Sequence, residues 1–264
     1  MTELEQRLSF ACEIARDAGS VALKFFRDLT SLTVKIKGLQ DMASEADVQT
    51  ESFIRGRIES AYPGDAFLGE ESAESFTPGA GQGTWIIDPV DGTQPFVNGI
   101  RSWCVSIAYV EGNQMRVGAV YDPVADELFA AADGMGATLN GKPIHCSNAT
   151  SLKEGMVSVG YSNRVEVADT LDPLGRLMRA GGMYHRNGSG ALSLSYVGAG
   201  RLIGYFEPHM NSWDFAAAAL IVREAGGRIN DCMPSARTIL DGAPVIAAAA
   251  GVYEELERVI TASG

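Results

Sequence analysis

The nine residues Trp85-Ile-Ile-Asp-Pro-Val-Asp-Gly-Thr93 constrain this chain more than any other stretch. Trp85, Ile86 and Ile87 form the short apolar run expected of a buried strand. The run ends in two acids, Asp88 and Asp91, with Pro89 between them and Gly92 after them. Regular strand is expected to stop there and the backbone to turn. Carboxylates held that close repel unless a cation holds them. An all-oxygen donor set points to a hard cation, Mg²⁺ before Zn²⁺. Gly92 and Thr93 then offer backbone N–H groups at a turn, which suits a phosphate. One short stretch thus reads as a metal site beside an anion site.

Asp-Pro and Asp-Gly are also ordinary turn dipeptides, and on these residues alone that plainer reading stays open. Spacing removes two look-alikes. A calcium-binding EF-hand loop needs acids at alternate positions before its glycine. An Asp-x-Asp-Gly-Thr nucleophile motif is one residue shorter than what stands here.

The rest of the chain narrows the class. Its 264 residues can bury a sizeable core, as one large domain or two fused halves. The net charge of −12 argues against direct nucleic-acid binding, which calls for a basic face. It leaves room for an anionic substrate, because bound cations reverse the sign locally. Cys12, Cys104, Cys146 and Cys232 lie far apart with no Cys-x-x-Cys pair, and read as reduced cysteines of a cytoplasmic protein. The N-terminal residues lack the basic and apolar regions of a signal peptide. No apolar run is long enough to span a membrane.

In chain order, residues 3 to 28 carry Leu4, Leu8, Ala11, Ala15, Ala18, Ala22 and Phe25 at the spacing of an amphipathic helix. Ser44-Glu-Ala-Asp47 reads as a capping-box start to a second helix that ends near Pro63-Gly64, which gives Asp47 a purely structural explanation. Phe67-Leu-Gly-Glu-Glu71 reads as a strand ending in two acids that point to opposite faces. Residues 74 to 83 are expected to be a loop that could serve as a lid. Trp103 to Val110, Met115 to Tyr121 and Glu127 to Ala131 read as successive antiparallel strands, and Asn140-Gly141 as a two-residue hairpin turn. These features give a first half of helices plus sheet, 1–146.

Over 147–264 the pattern alternates. Strands are expected at 156–160, 183–186, 201–206 and 245–249, with helices at 171–180, 189–198, 211–226 and 251–262. The expected class is α/β, α+β in the first half and α/β in the second. Glu207-Pro-His-Met-Asn-Ser-Trp-Asp214 adds further acids, with Ser212 as a candidate cap that puts Asp214 in the first helical turn.

Gly69-Glu-Glu-Ser72, Asp88-Pro-Val-Asp-Gly-Thr93 and Trp213-Asp214 before Glu224-Ala-Gly-Gly227 together resemble the inositol monophosphatase family, over nearly the full length. The resemblance implies a layered αβαβα sandwich and a Mg²⁺-dependent, lithium-sensitive phosphomonoesterase. It implies two to three Mg²⁺ ions. Glu70, Asp88 and the Val90 carbonyl would hold the first, and Asp88, Asp91 and Asp214 the second. A third, weaker ion would lean on Glu70. The catalytic work would fall to Glu70, Asp47 and Thr93, with Asp47 and Thr93 orienting the attacking water. Asp91, Gly92 and Thr93 would face the phosphate, and Glu71 would support the metal ligands from behind. Glu207 stands where the family places an acceptor for a sugar hydroxyl, and Asn211, Ser189 and Arg186 complete the substrate side. The partner is a small phosphorylated metabolite, and a homodimer is common in the family.

The chain also departs from the family pattern. Gln94-Pro95-Phe96 replaces the frequent x-Asn-Phe after the threonine. Asn211 stands where some inositol-specific members have histidine. Gly200-Arg201-Leu-Ile-Gly204 lacks an acid that often follows Gly-Arg. These positions surround the leaving group and not the metals, so they bear on the substrate and not on the reaction: an inositol monophosphate is the first expected substrate, and histidinol phosphate the alternative. Related members act on fructose bisphosphate, NADP or 3′-phosphoadenosine phosphate. A non-catalytic, partner-binding regulator is the expectation from a different class. Phosphate-monoester hydrolysis by two cations about 3.5–4 Å apart needs no Cys, Ser or His nucleophile, which agrees with only three histidines.

Overall fold

The computed structural model describes residues 1–38, 41–76, 83–233, 235 and 237–262. Residues 77–82 of the expected lid loop therefore lie outside the described residues. The chain opens with α1 (Glu3–Arg27), whose start is fixed by a capping box between Thr2 and Glu5. β1 (Val34–Gly38) and β2 (Asp41–Ser44) pair antiparallel. Ser44 caps α2 (Glu45–Ala61), with Asp47 at the third position returning the bond to the Ser44 N–H. β3 (Ala66–Gly69) leads into a 3₁₀ turn over Glu70–Ser75. Then follow β4 (Thr84–Asp91), α3 (Thr93–Val97), β5 (Cys104–Glu111), β6 (Gln114–Asp122), β7 (Glu127–Ala132), β8 (Ala137–Leu139) and β9 (Lys142–Ile144). The second half carries β10 (Met156–Val159), α4 (Ala168–Arg179), β11 (Met183–His185), α5 (Gly190–Gly198), β12 (Gly204–Met210), α6 (Ser212–Glu224), β13 (Arg228–Ile229), α7 (Thr238–Asp241), β14 (Ala243–Ala248) and α8 (Tyr253–Thr261).

Two large mixed sheets result. The first runs β3-β4-β5-β6-β7-β8-β9, with β3 parallel to β4 and every later pair antiparallel. The second runs β11-β10-β12-β14-β13, parallel across β11-β10-β12 and antiparallel at β14.

Side-chain alternation along β4 shows why the layers stack as they do. Trp85 and Ile87 pack with Ala11, Ile14, Ile54 and Ile58 of α1 and α2. Ile86, between them, points the other way and packs with Leu192 of α5, Phe215 of α6, and Tyr205 and Val245 of the second sheet. The far face of the second sheet, Val157, Phe206 and Ile246, is covered by Leu177 of α4 and Leu256 of α8. The order is therefore helices, sheet, helices, sheet, helices, the αβαβα arrangement. A strand buried on both faces cannot lose volume cheaply. Ile87 is fully buried, and its truncation to alanine would cost about 2–5 kcal/mol. α6 lies close on β6, because a Cβ at Gly118 would come within 2.4 Å of the Ala217 carbonyl oxygen.

The expected helices and hairpins are present, with four corrections. β4 does not stop before Asp88. It continues to Asp91, and Pro89 is accommodated in a bulge: from Asp88 to Asp91 the strand advances three residues while its partner goes from Ser106 to Cys104. Glu70 and Glu71 do not point to opposite faces of a strand, since both lie in the 3₁₀ turn. The strand expected at 201–206 begins at Gly204 and runs on to Met210, because Arg201–Ile203 turn out of α5. Asn211, not Ser212, caps α6. Its side chain bonds the N–H at the third position and Asp214 returns the bond to the Asn211 N–H, while the Ser212 hydroxyl donates to the Ile239 carbonyl at 2.6 Å. The Asn140-Gly141 turn forms as expected, with both φ angles positive. All four cysteines are free.

Candidate active site

The bulge at Pro89 has a direct consequence for the acids. On a regular strand, residues three apart face opposite sides. One extra residue between Asp88 and Asp91 restores the parity, so both carboxylates reach the same side. Asp214, from the first turn of α6, joins them. One carboxylate oxygen from each of Asp88, Asp91 and Asp214 lies within 4.8 Å of the others. Glu207 stands in the same relation to its own strand. Between Glu207 and Met210, β12 advances three residues while β14 goes from Val245 to Ala243, with Pro208 in the bulge. Both sheets thus deliver an acid to one cleft at an acid-proline bulge.

The cleft has a volume of about 480 Å³. Glu70, Asp91, Gly92, Thr93, Asp214 and Glu207 line it. Ser189, Arg186 and Asn211 lie on its walls, together with Tyr205 and Arg164, which the sequence reading did not single out. Every candidate from the sequence that contributes a side chain to the substrate region therefore borders one cleft. Arg186 is exposed at its edge, whereas Ser189 and Asn211 are buried.

Burial and mutual repulsion dominate the electrostatics. Burial pushes the Asp88 carboxyl well above the usual range, and Glu70, Asp91, Asp214 and Asp47 push it further. Asp214 is pushed up to about 7, by burial first and then by Asp91. Burial also raises Asp91, but four donors oppose that rise. The Ser189 hydroxyl, the Ala191 N–H at 2.8 Å, the Gly190 N–H at 3.3 Å and the Cys104 thiol all approach its carboxylate. The N-terminus of α5 therefore favours the charged form of Asp91.

Asp47 is fully buried, and burial lifts it to about 6. Its Oδ2 accepts from the Ser44 N–H and hydroxyl, and its Oδ1 faces the Thr93 hydroxyl. Thr93 follows Gly92, which adopts φ 100°. A side chain at Gly92 would also come within 2.8 Å of the Ser102 carbonyl oxygen, so the turn requires glycine for conformation and for space. The Glu71 N–H donates to the buried Glu51 carboxylate at 2.8 Å. Glu71 in turn raises Asp47 through its charge.

The profile of the inositol monophosphatase family matches residues 3–263. The chain belongs to the inositol monophosphatase family. Among its relatives, a Nus factor SuhB of Xylella fastidiosa is 36% identical over 95% of this chain and 92% of its own length. An inositol-1-monophosphatase of Mesorhizobium japonicum is 34% identical over 91% of this chain and 90% of its own. The crystal structure of the extragenic suppressor protein suhB from Bartonella henselae superposes with a TM-score of 0.88 at 30% identity, covering 98% of this chain and 100% of that one.

The family motif does not announce every residue that shapes this cleft. Ser189 was expected on the substrate side, yet its hydroxyl also donates to Asp91 and accepts from the Leu192 N–H as the cap of α5. The only sequence hint is a serine before a helical pattern, 98 residues from its partner. Nothing in the sequence singles out Glu51, although its carboxylate accepts the Glu71 N–H and so ties the Glu70–Ser75 turn to α2. A Cβ at Gly69 would come within 2.2 Å of its carboxylate, and a glycine at the end of an apolar run is a weak signal of such close approach.

Proposed function

We propose that this chain is a Mg²⁺-dependent phosphatase that hydrolyses a small phosphate monoester, with an inositol monophosphate as its best substrate. The observation that carries this reading is the convergence of Asp88, Asp91 and Asp214, of which Asp91 and Asp214 line the cleft. Three carboxylates this close raise one another's pKa values when no cation is present. The donors are all oxygen, which fits Mg²⁺. Glu70, Asp88, the Val90 carbonyl, Asp91 and Asp214 would hold two to three ions. Bound there, Mg²⁺ supplies Lewis acidity, neutralising phosphoryl charge and easing the ionisation of water near neutral pH.

The chain's own residues supply orientation. Asp47 is held by Ser44 on one oxygen and faces Thr93 with the other, an arrangement suited to orienting a water and drawing its proton. The backbone N–H groups of Gly92 and Thr93 bias the site toward a phosphoryl group, and Asp91 would face it by way of the cations it helps to hold. Glu207 offers an acceptor for a hydroxyl of the leaving alcohol, and Arg186, Ser189 and Asn211 stand on the surrounding wall. In this reading residues 1–146 carry most of the metal ligands, and 147–264 carry Asp214 and the substrate side.

The test of substrate identity is phosphate release, at saturating Mg²⁺, from inositol 1-phosphate, histidinol phosphate, fructose 1,6-bisphosphate and 3′-phosphoadenosine phosphate. The highest kcat/KM is expected for inositol 1-phosphate. A histidinol phosphate value far above the others would move the assignment to that substrate. A second reading is a partner-binding regulator, favoured by the name Nus factor that relatives at 36% and 37% identity carry. A specific partner on pull-down together with turnover at background would support it over the phosphatase.

A further inference from the structure

Tyr205 and Glu207 leave the same face of β12 two residues apart. The Tyr205 hydroxyl donates to Glu207 Oε2. Tyr205 is 1% exposed, whereas Glu207 is half-buried, and both border the cleft. A buried phenol needs a partner for its hydroxyl, and this one has found the carboxylate that faces the substrate region.

The surroundings are cut to fit the pair. A Cβ at Gly160, just past β10, would lie 2.0 Å from Glu207 Oε2 and 2.8 Å from the Tyr205 hydroxyl oxygen. A Cβ at Gly190, the first residue of α5, would lie 3.2 Å from the same hydroxyl. Two glycines from separate elements thus leave room where the tyrosine and the acid meet. Pro208 follows immediately and bulges the strand, so Glu207 is the last residue of β12 in regular register before the bulge. On a free rotor at that point the carboxylate could sweep the cleft. A donor from its own strand holds it to one orientation.

We infer that Tyr205 is a positioning residue: its hydroxyl fixes the Glu207 carboxylate so that the cleft favours phosphate monoesters whose alcohol bears further free hydroxyls. The inference rests on the phosphatase reading above and deepens it. The Tyr205 hydroxyl bonds Glu207 and not Asp88, Asp91 or Asp214. It acts through Glu207 alone, so it governs which leaving alcohol is accepted and not whether phosphate is removed. Burial, as the largest cause, holds the phenol well above its usual range, so it stays protonated, as a donor must be.

The test compares kcat/KM for inositol 1-phosphate with that for p-nitrophenyl phosphate, whose leaving group has no further hydroxyl. Tyr205→Phe should lower the ratio of the two about tenfold, the scale of one hydrogen bond, mainly through a higher KM for the polyol. Gly160→Ala should lower the same ratio by displacing the carboxylate. Tyr205→Phe added to Glu207→Gln should lower it no further than Glu207→Gln alone. If Tyr205→Phe stays folded and keeps the wild-type ratio within about twofold, or if the two effects multiply, the inference is wrong while the phosphatase reading stands. A wild type that releases no phosphate from either compound overturns both.

Discussion

Thr93 Oγ1 lies 3.2 Å from Asp47 Oδ1 and 3.3 Å from the Val90 carbonyl oxygen. The hydroxyl therefore links the start of α2 to the bulge that carries Asp88 and Asp91. Asp47→Asn keeps the shape of the capping group, and since asparagine caps as well as aspartate, stability should change by about 1 kcal/mol or less. Turnover should fall by about 10²–10⁴, the range for loss of a general base, while Mg²⁺ binding by calorimetry is retained. Full turnover in Asp47→Asn would return this residue to a purely capping role.

Removing one of the repelling acids should stabilise the metal-free protein. Asp214→Asn relieves the charge that Asp88 and Asp91 feel, so its melting temperature in EDTA should rise slightly. The Mg²⁺-induced rise should disappear, because ligand binding stabilises only a fold that can bind. In Asp91→Asn the gain should be smaller, since the Ser189, Gly190 and Ala191 donors lose the anion they face. Thermal melts with and without Mg²⁺ decide both. A metal-free Asp214→Asn that melts well below wild type contradicts the repulsion.

The pH dependence of the metal-free protein follows from the same acids. Asp47 is lifted to about 6 and Asp214 to about 7, from a usual 3.8, and Asp88 and Asp91 are lifted too. Between about pH 4 and 7 the folded chain therefore holds protons that the unfolded chain releases. Stability contributed by these groups is full below that window and is lost as pH rises through it. In EDTA the melting temperature should be higher at pH 5.5 than at pH 8. Saturating Mg²⁺ should oppose this trend, because the cation binds the deprotonated carboxylates. A melting temperature in EDTA that rises from pH 5.5 to 8 contradicts it.

Glu51 provides a different kind of test. Its carboxylate accepts the Glu71 N–H and lies 3.8 Å from Arg55, whose guanidinium also bonds Ser72 at 2.6 Å. Glu51→Ala removes the acceptor of the Glu71 N–H and should cost about 1–3 kcal/mol in urea unfolding. It should also raise the Mg²⁺ concentration needed for half-maximal turnover, because Glu70 belongs to the same turn. Unchanged stability and Mg²⁺ response would show that the turn holds itself.

Much of this site could be read from local sequence. Ser44 and Asp47 form a capping box within one helical turn, and Asn140-Gly141 fixes its own hairpin. Signals of that kind need no knowledge of the rest of the chain. The acid-proline bulges could not be read the same way. A proline after an acid looks like a strand end, and only pairing with β5 and β14 turns Pro89 and Pro208 into bulges. Nor could spacing show that Ser189 holds Asp91, since the two meet only once α5 is packed between the sheets. The boundary of β12 was misplaced for a related reason: Leu202 and Ile203 are apolar because they are buried in a turn, not because they are strand.

The central claim is tested most directly by phosphate release from inositol 1-phosphate in Mg²⁺ and in EDTA, for wild type, Asp91→Asn and Asp214→Asn side by side. The account predicts Mg²⁺-dependent turnover in wild type, none above background in EDTA, and a loss of orders of magnitude in both variants with the fold intact. Equal turnover in EDTA, or near-full turnover in both variants, would contradict it.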